Sequence, residues 1–263
     1  MDSQKIQTII DQAPALITLA EGRLLFESTR HLKAEGVIVE IGSYKGGSTI
    51  FLALGSQAGP NKKIYAIDPH TGLGPIYENT KNIFLSNLEK WQVRNLVEPI
   101  FEKSKKAAKK WNQPISLLWI DGSHWYCDVK TDIFCWEEFL IPGGLIIFHD
   151  VVNPKKSWKF LNQEITRYPG VEQAVSELLA SGRFKAIKTL DNILMAEKIK
   201  NELTSVSVTQ IRWNYFFRKI FWLELKYLFW LSLVIKTHHR LGQTGLFLKK
   251  YYPKFYYFLK RII

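Results

Sequence analysis

The sequence predicts an α/β fold: a doubly wound sheet of seven strands, mostly parallel, with the last strand antiparallel. Three observations carry this. Short β-branched runs alternate with apolar patterns of helical spacing from about residue 35 to residue 200. The first such strand runs into a glycine-rich turn, VEIGSYKGGST at 39–49, that opens a helix. Acids or histidines close the second, fourth and fifth strands, the ends at which doubly wound sheets hold their ligands.

In chain order, apolar residues at helical spacing from Ile6 to Leu25 predict two helices separated at Pro14. GVIVEIG is a buried strand, STIFLALGS a helix and KKIYAIDP a second strand. NTKNIFLSNLEKW continues as helix, LVEPIFE as strand and KKAAKKW as a short basic helix. SLLWIDG, CDVKTDIFCWEEF and GGLIIFHDV follow as strand, helix and strand. Ser157 to Ser181 is expected to be helical, broken near Pro169-Gly170. FKAIKTLDNILMAEK closes the unit as two strands about a tight Asp-Asn turn. The divisions are therefore N-terminal helices at 1–34, the α/β domain at 35–200 and an extension at 201–263.

With 46% hydrophobic and 23% charged residues among 263, the chain has the composition of a folded protein. MDSQKIQTII carries an early acid and no apolar core of a leader, so no secretory signal is expected. Cys127 and Cys135, eight apart, fit two thiols on one helix in a reducing compartment better than a bridge. The net charge of +12 is unevenly placed: residues 211–263 hold eleven Lys/Arg against Glu224 alone, whereas the rest holds 25 bases against 23 acids. A nearly neutral main domain argues against a nucleic-acid partner.

The turn has the pattern E-x-G-x-x-x-G-x-S at Glu40, Gly42, Gly46 and Ser48. Tyr44 occupies the place of the middle glycine in a dinucleotide-binding turn, and its side chain blocks close backbone approach to a pyrophosphate. Lys45 precedes Gly46 instead of following a glycine before Ser/Thr, so the turn is no phosphate loop. Glu40 would repel phosphate as well; a cationic or zwitterionic ligand suits the place. Asp68, ending the second strand, occupies the usual position of a ribose-binding carboxylate, or alternatively serves the turn before Pro69.

Together these residues resemble the Rossmann-like S-adenosylmethionine-dependent methyltransferases. EIGSYKGGS is especially similar to the small-molecule O-methyltransferases related to catechol O-methyltransferase, and to a group including macrolide sugar O-methyltransferases and cephalosporin-hydroxylase-like proteins. The resemblance spans about residues 35–197. It implies that Glu40, Gly42, Ser43, Tyr44, Gly46 and Ser48 surround the methionine part of the cofactor. Asp68 would bind the ribose, and Ser104 would lie near the adenine.

LLWIDGSHWY and LIIFHDVV end neighbouring strands, so Asp121 and Asp150 are expected to face one crevice with His124 and His149 close by. Carboxylates that close repel unless a cation lies between them, and hard oxygen ligands suit Mg²⁺. The resemblance implies a metal set of Asp121, His149 and Asp150. The relatives have an acid where this chain has His149, and an imidazole ligand shifts preference toward Mn²⁺, Fe²⁺ or Zn²⁺; His149 as a structural hydrogen-bonding residue is the alternative. His124 stands where relatives place the catalytic base, and imidazole titrates in the right range to take a proton from a hydroxyl. It could instead cap the following helix.

The segment 211–263 holds sixteen of the 36 aromatic residues. Its apolar stretch from Ile220 to Ile235 contains Glu224 and Lys226 and is short for a span. An interfacial helix on an anionic membrane surface fits better, with homo-oligomer packing as the other use of the aromatics. The expectation is an S-adenosylmethionine-dependent O-methyltransferase assisted by a divalent cation. It would act on a hydroxyl of a sugar, glycolipid or other small molecule, peripherally on the cytoplasmic face of a membrane. A hydroxylase-like enzyme on the same fold and a non-catalytic membrane-bound binding protein are the competing readings.

Overall fold

Two helices open the chain in the computed structural model, which describes residues 2–13, 16–71, 79–151, 158–160, 163–165 and 169–200. Helix α1 (Ser3–Gln12) is capped by Asp2, whose carboxylate accepts the Lys5 N–H. Helix α2 (Leu19–Arg30) starts with a capping box, in which Thr18 and Glu21 each accept the other's backbone N–H. Ile6 and Ile9 of α1 and Leu25 of α2 are buried in one core with the sheet. Pro14 and the whole of 201–263, with its expected membrane face, lie outside the described residues.

The alternation follows as expected: β1 (Val37–Ile41), α3 (Gly47–Gln57), β2 (Ile64–Ile67), α4 (Lys81–Lys90), β3 (Val97–Ile100) and α5 (Ser104–Ala108). Then come β4 (Ile115–Ile120), α6 (Tyr126–Trp136) and β5 (Leu140–Phe148). All six residues of β4 are buried, because helices cover both faces of this central strand.

The next stretch differs from expectation. In place of helix from Ser157 onward, β6 (Trp158–Phe160) and β7 (Gln163–Ile165) pair antiparallel as a separate two-stranded sheet. Helix α7 runs Pro169–Ala180, so Pro169 starts a helix rather than breaking one. A proline at the first helical position loses no hydrogen bond, since the N–H groups there have no partner inside the helix.

Strands β8 (Phe184–Leu190) and β9 (Ile193–Lys198) complete a seven-stranded sheet of order β3-β2-β1-β4-β5-β9-β8. Strands β1 to β5 are parallel, and β9 inserts antiparallel between β5 and β8. The order reverses direction between β1 and β4, which opens the crevice at their carboxyl ends. Helix α2 packs against α3 at very short range: a Cβ at Gly55 would stand 2.1 Å from Thr29 Oγ1 and 2.2 Å from the Phe26 carbonyl oxygen. That approach holds α2 as a fixed wall of the core. Among the described residues no helix is long and apolar enough to cross a membrane.

Candidate active site

The turn after β1 is built by backbone geometry. Gly42 has φ +89°, and a Cβ there would lie 2.2 Å from the Asp121 carbonyl oxygen. Only a residue without a side chain lets the turn pass this close to the end of β4. Its N–H donates to Ile67 O and the Asp121 N–H donates to Ile41 O, which brings the three strand ends into register. Tyr44 also adopts a left-handed conformation (φ +45°), and its side chain is exposed. Gly46, again left-handed, caps α3.

Glu40 and Ser48 lie beneath this turn. Glu40 is fully buried, and its two oxygens accept the hydroxyls of Ser48 and Thr49 in the first turn of α3. Burial pushes its pKa up to about 8, against the two hydrogen bonds, and the negative charges of Asp121 and Asp68 push it the same way. That shift weakens the negative charge of Glu40 near neutral pH, so the exclusion of phosphate rests more on Tyr44 and the missing middle glycine than on Glu40.

Asp68 ends β2 with both oxygens turned to backbone: Oδ2 accepts from Tyr44 N at 2.9 Å and Oδ1 from His70 N at 2.7 Å. It ties the glycine turn to β2 and keeps spare lone pairs on each oxygen. Ser43 is 2% exposed, and its hydroxyl meets no partner among the described residues, an orphaned polar atom within the turn itself. Ser104, the first residue of α5, accepts from Trp136 Nε1 at 2.8 Å and hydrogen-bonds Asp132, so it also joins α5 to α6.

Across the crevice the carboxyl ends of β4 and β5 bring charges together. Ligand atoms of Asp121, His124 and Asp150 lie within 4.8 Å of one another. His124 Nε2 is 3.1 Å from Asp150 Oδ2 and 3.9 Å from Asp121 Oδ1. Asp150 has φ +56°, a strained conformation for a residue with a side chain, imposed where β5 turns out of the sheet. The fourth expected member lies deeper: His149 is buried, with Nδ1 3.1 Å from Asp121 Oδ1 and 3.6 Å from Asp150 Oδ2, and Nε2 3.5 Å from Glu21 Oε2. Burial alone would lower its pKa, yet Asp121, Glu21 and Asp150 together raise it to about 11. Asp121 is the mirror case, for burial raises its pKa and the two histidines more than reverse that. His149 is thus an imidazolium within a hydrogen-bonded group of acids, and His124 takes the place beside Asp121 and Asp150 that sequence had assigned to it.

Residues 39–151 match the family described as "Methyltransferase domain". This span holds the glycine turn, Asp68, Asp121, His124, His149 and Asp150. Over these residues the chain is similar to a methyltransferase domain. Its fold is the Rossmann-like fold of the O-methyltransferases. The O-methyltransferase from Bacillus cereus in complex with SAH has a TM-score of 0.56 to this chain at 18% identity, covering 74% of this chain and 90% of that one. The O-methyltransferase TomG from Streptomyces achromogenes, in complex with SAM, has a TM-score of 0.54 at 18% identity, covering 75% and 89%. A putative caffeoyl-CoA O-methyltransferase from Staphylococcus aureus has a TM-score of 0.57 at 15% identity, covering 76% and 93%. By sequence, 151 residues are 26% identical to the uncharacterized protein R132 of Acanthamoeba polyphaga mimivirus, covering 57% of this chain and 63% of that protein's length.

One residue of the site lies outside the matched span of the methyltransferase domain and outside the sequence reading. Glu21 of α2 is 1% exposed and accepts from Thr18 N at 2.7 Å and from Asn192 N, in the β8–β9 turn, at 3.1 Å. The signal was present in Thr18-Leu-Ala-Glu21, a capping-box pattern. Nothing in that pattern says that the helix start faces His149.

Proposed function

We propose that this chain is an S-adenosylmethionine-dependent O-methyltransferase that methylates a hydroxyl of a small molecule, with a sugar or glycolipid as the leading class. The observation that carries the reading is the gathering of Asp121, His124 and Asp150 at the ends of β4 and β5, beside the glycine turn after β1. The donor chemistry of the turn fits the cofactor. The unpartnered Ser43 hydroxyl and the close-packed Gly42 backbone suit the amino-acid part of the ligand, and Asp68 retains lone pairs for ribose hydroxyls. Gly42, Ser43, Tyr44, Gly46, Asp68 and Ser104 would hold it, with Glu40 and Ser48 supporting the turn from below. S-adenosylmethionine supplies an electrophilic methyl group on a sulfonium sulfur.

The chain's own part is to deprotonate and orient the acceptor. An aliphatic hydroxyl is a weak nucleophile until a base takes its proton. Through one nitrogen, His124 can be base or metal ligand but not both at once. It is the most exposed of the three side chains, at 34% against 20% for Asp121 and 6% for Asp150, which suits the base. Asp121 and Asp150 would then hold a divalent cation, Mg²⁺ before Mn²⁺ for a carboxylate pair. A cation there supplies positive charge where the acceptor loses its proton. Orientation of the acceptor oxygen in line with the methyl group accounts for the remaining rate.

His124→Ala is expected to lower methyl transfer from labelled cofactor roughly 10²–10⁴-fold, the range for a lost general base, and Asp121→Ala is expected to lower it as well, through loss of the cation. Affinity for S-adenosylhomocysteine, read by calorimetry, is expected to stay nearly unchanged. Near-normal transfer in both variants would sink the mechanism, and a product heavier by one oxygen instead of one CH₂ would identify a hydroxylase. The extension 211–263 supports peripheral attachment to an anionic membrane surface through its eleven Lys/Arg and sixteen aromatics. Liposome flotation with and without 211–263 tests this; equal flotation of both forms removes the extension as the anchor.

A further inference from the structure

A buried charge runs from the methyltransferase crevice into the N-terminal helices. Asp121 has two side-chain partners among the described residues, His149 Nδ1 at 3.1 Å and His124 Nε2 at 3.9 Å. The nearer one is a ring with acids on both sides: Nδ1 hydrogen-bonds Asp121 Oδ1 and lies 3.6 Å from Asp150 Oδ2, while Nε2 makes an ion-pair contact, without hydrogen-bond geometry, to Glu21 Oε2 at 3.5 Å. Glu21 in turn is fixed by two backbone N–H groups from different elements, Thr18 at the start of α2 and Asn192 between β8 and β9. The Thr18 hydroxyl donates to Asp191 Oδ2 at 2.9 Å and Val151 N donates to Asn192 O at 3.0 Å, so the same turn is bound to α2 and to the end of β5.

Capping alone does not account for this. A capping box works with Gln as well as Glu, and the third helical position normally stands in water. Here the side chain is 1% exposed, and a buried carboxylate costs several kcal/mol unless it is paired. Its pairing is with the ring that orients Asp121. An imidazolium with a carboxylate facing each nitrogen is favoured in one ring orientation by charge, and such supporting contacts set the geometry of the group they touch.

The geometry points to Glu21 as a positioning residue: through His149 it fixes the direction of the Asp121 carboxylate at the mouth of the crevice. This rests on the reading of Asp121 as part of the catalytic machinery. Helix α2, which lies before the matched residues, is then part of the active site's construction.

The test compares the full-length protein with Glu21→Gln and Thr18→Ala. Three readouts are taken: ring N–H signals of His149 in ¹⁵N-histidine-labelled protein, calorimetric affinity for S-adenosylhomocysteine, and methyl transfer per folded molecule. Glu21→Gln is expected to shift the His149 Nε2–H signal, leave S-adenosylhomocysteine affinity within about twofold, and lower transfer roughly 10–100-fold, as losing an orienting partner does. Thr18→Ala removes the hydroxyl cap but keeps Glu21; it is expected to lower Tm while the ring signals and transfer persist. Unchanged ring signals in Glu21→Gln, or equal loss of transfer in Thr18→Ala, would overturn the assignment. Should Glu21→Gln not fold, Glu21→Asp, which keeps the charge but withdraws it from the ring, takes its place with the same outcomes. A wild-type protein that binds no S-adenosylhomocysteine would instead refute the proposed function, and the ring signals would still decide the role of Glu21.

Discussion

The two rims of the crevice are built from different materials. The rim after β1 is backbone: left-handed Gly42, Tyr44 and Gly46, pinned by Asp68 to β2 and by Glu40 to α3. The rim after β4 and β5 is side-chain charge: two acids, two histidines and a third acid reaching in from α2. The first rim holds a shape that few residue types permit, so steric change should damage it. The second holds a balance of charge, so changes of protonation or partner should damage it while shape survives. The rims meet where Gly42 passes the Asp121 backbone.

Gly42→Ala is the harshest probe of that junction and carries the largest expected effect. The new Cβ would stand 2.2 Å from Asp121 O in a backbone conformation with φ +89°. Relieving the clash requires both rims to shift, so a loss of about 3 kcal/mol or more by urea unfolding is expected, together with loss of S-adenosylhomocysteine binding. A variant of normal stability would mean that the rims are not braced backbone to backbone.

A rise in pH comes next and acts on the charged rim first. His149, with a folded pKa of about 11 against 6.5 unfolded, contributes stability that is complete below about 6.5 and is lost as pH climbs toward 11. Asp132 and Glu40 have the same sign, raised from 3.8 to about 7 and from 4.5 to about 8. Each proton held more tightly in the fold is worth about 1.4 kcal/mol per pH unit within its window. Glu21 and Asp121 are shifted downward, so their contributions are lost only on the acid side. Tm is therefore expected to fall steadily from pH 6.5 to 9, and a flat profile would contradict the paired imidazolium.

Glu40→Gln should have the smallest effect at low pH and sharpens the contrast most. Near pH 4, where the acid is protonated in the unfolded chain as well, the amide replaces it almost isosterically beside Ser48 and Thr49, with a change under about 1 kcal/mol. The variant should then gain on wild type as pH rises toward 8, because one of the three proton-linked groups is gone. An unchanged pH slope would show Glu40 to be ionised throughout.

The alternation of strands and helices was legible because each buried strand is a short β-branched run and each helix carries its apolar spacing. The site's strand ends were legible for the same reason: Asp68, Asp121 and the His149-Asp150 pair directly follow those runs. The segment 157–181 is less legible, because two three-residue antiparallel strands give too few residues for either periodicity, and Pro169 starts a helix where proline inside a helix would break it. The division of labour between the histidines was beyond the sequence too. His124 and His149 both sit near an Asp in the chain, and only their surroundings differ.

What the sequence determined by itself was the order of the sheet's elements and the place of the crevice, because local apolar periodicity and glycine turns dictate backbone path. What only the tertiary structure decided was the state of each site residue. Burial raised the pKa of Glu40 beneath the turn. Paired acids from β4 and from a helix 100 residues earlier made His149 a fixed cation. Those are sums over neighbours distant in sequence, and no local pattern encodes which neighbours they will be.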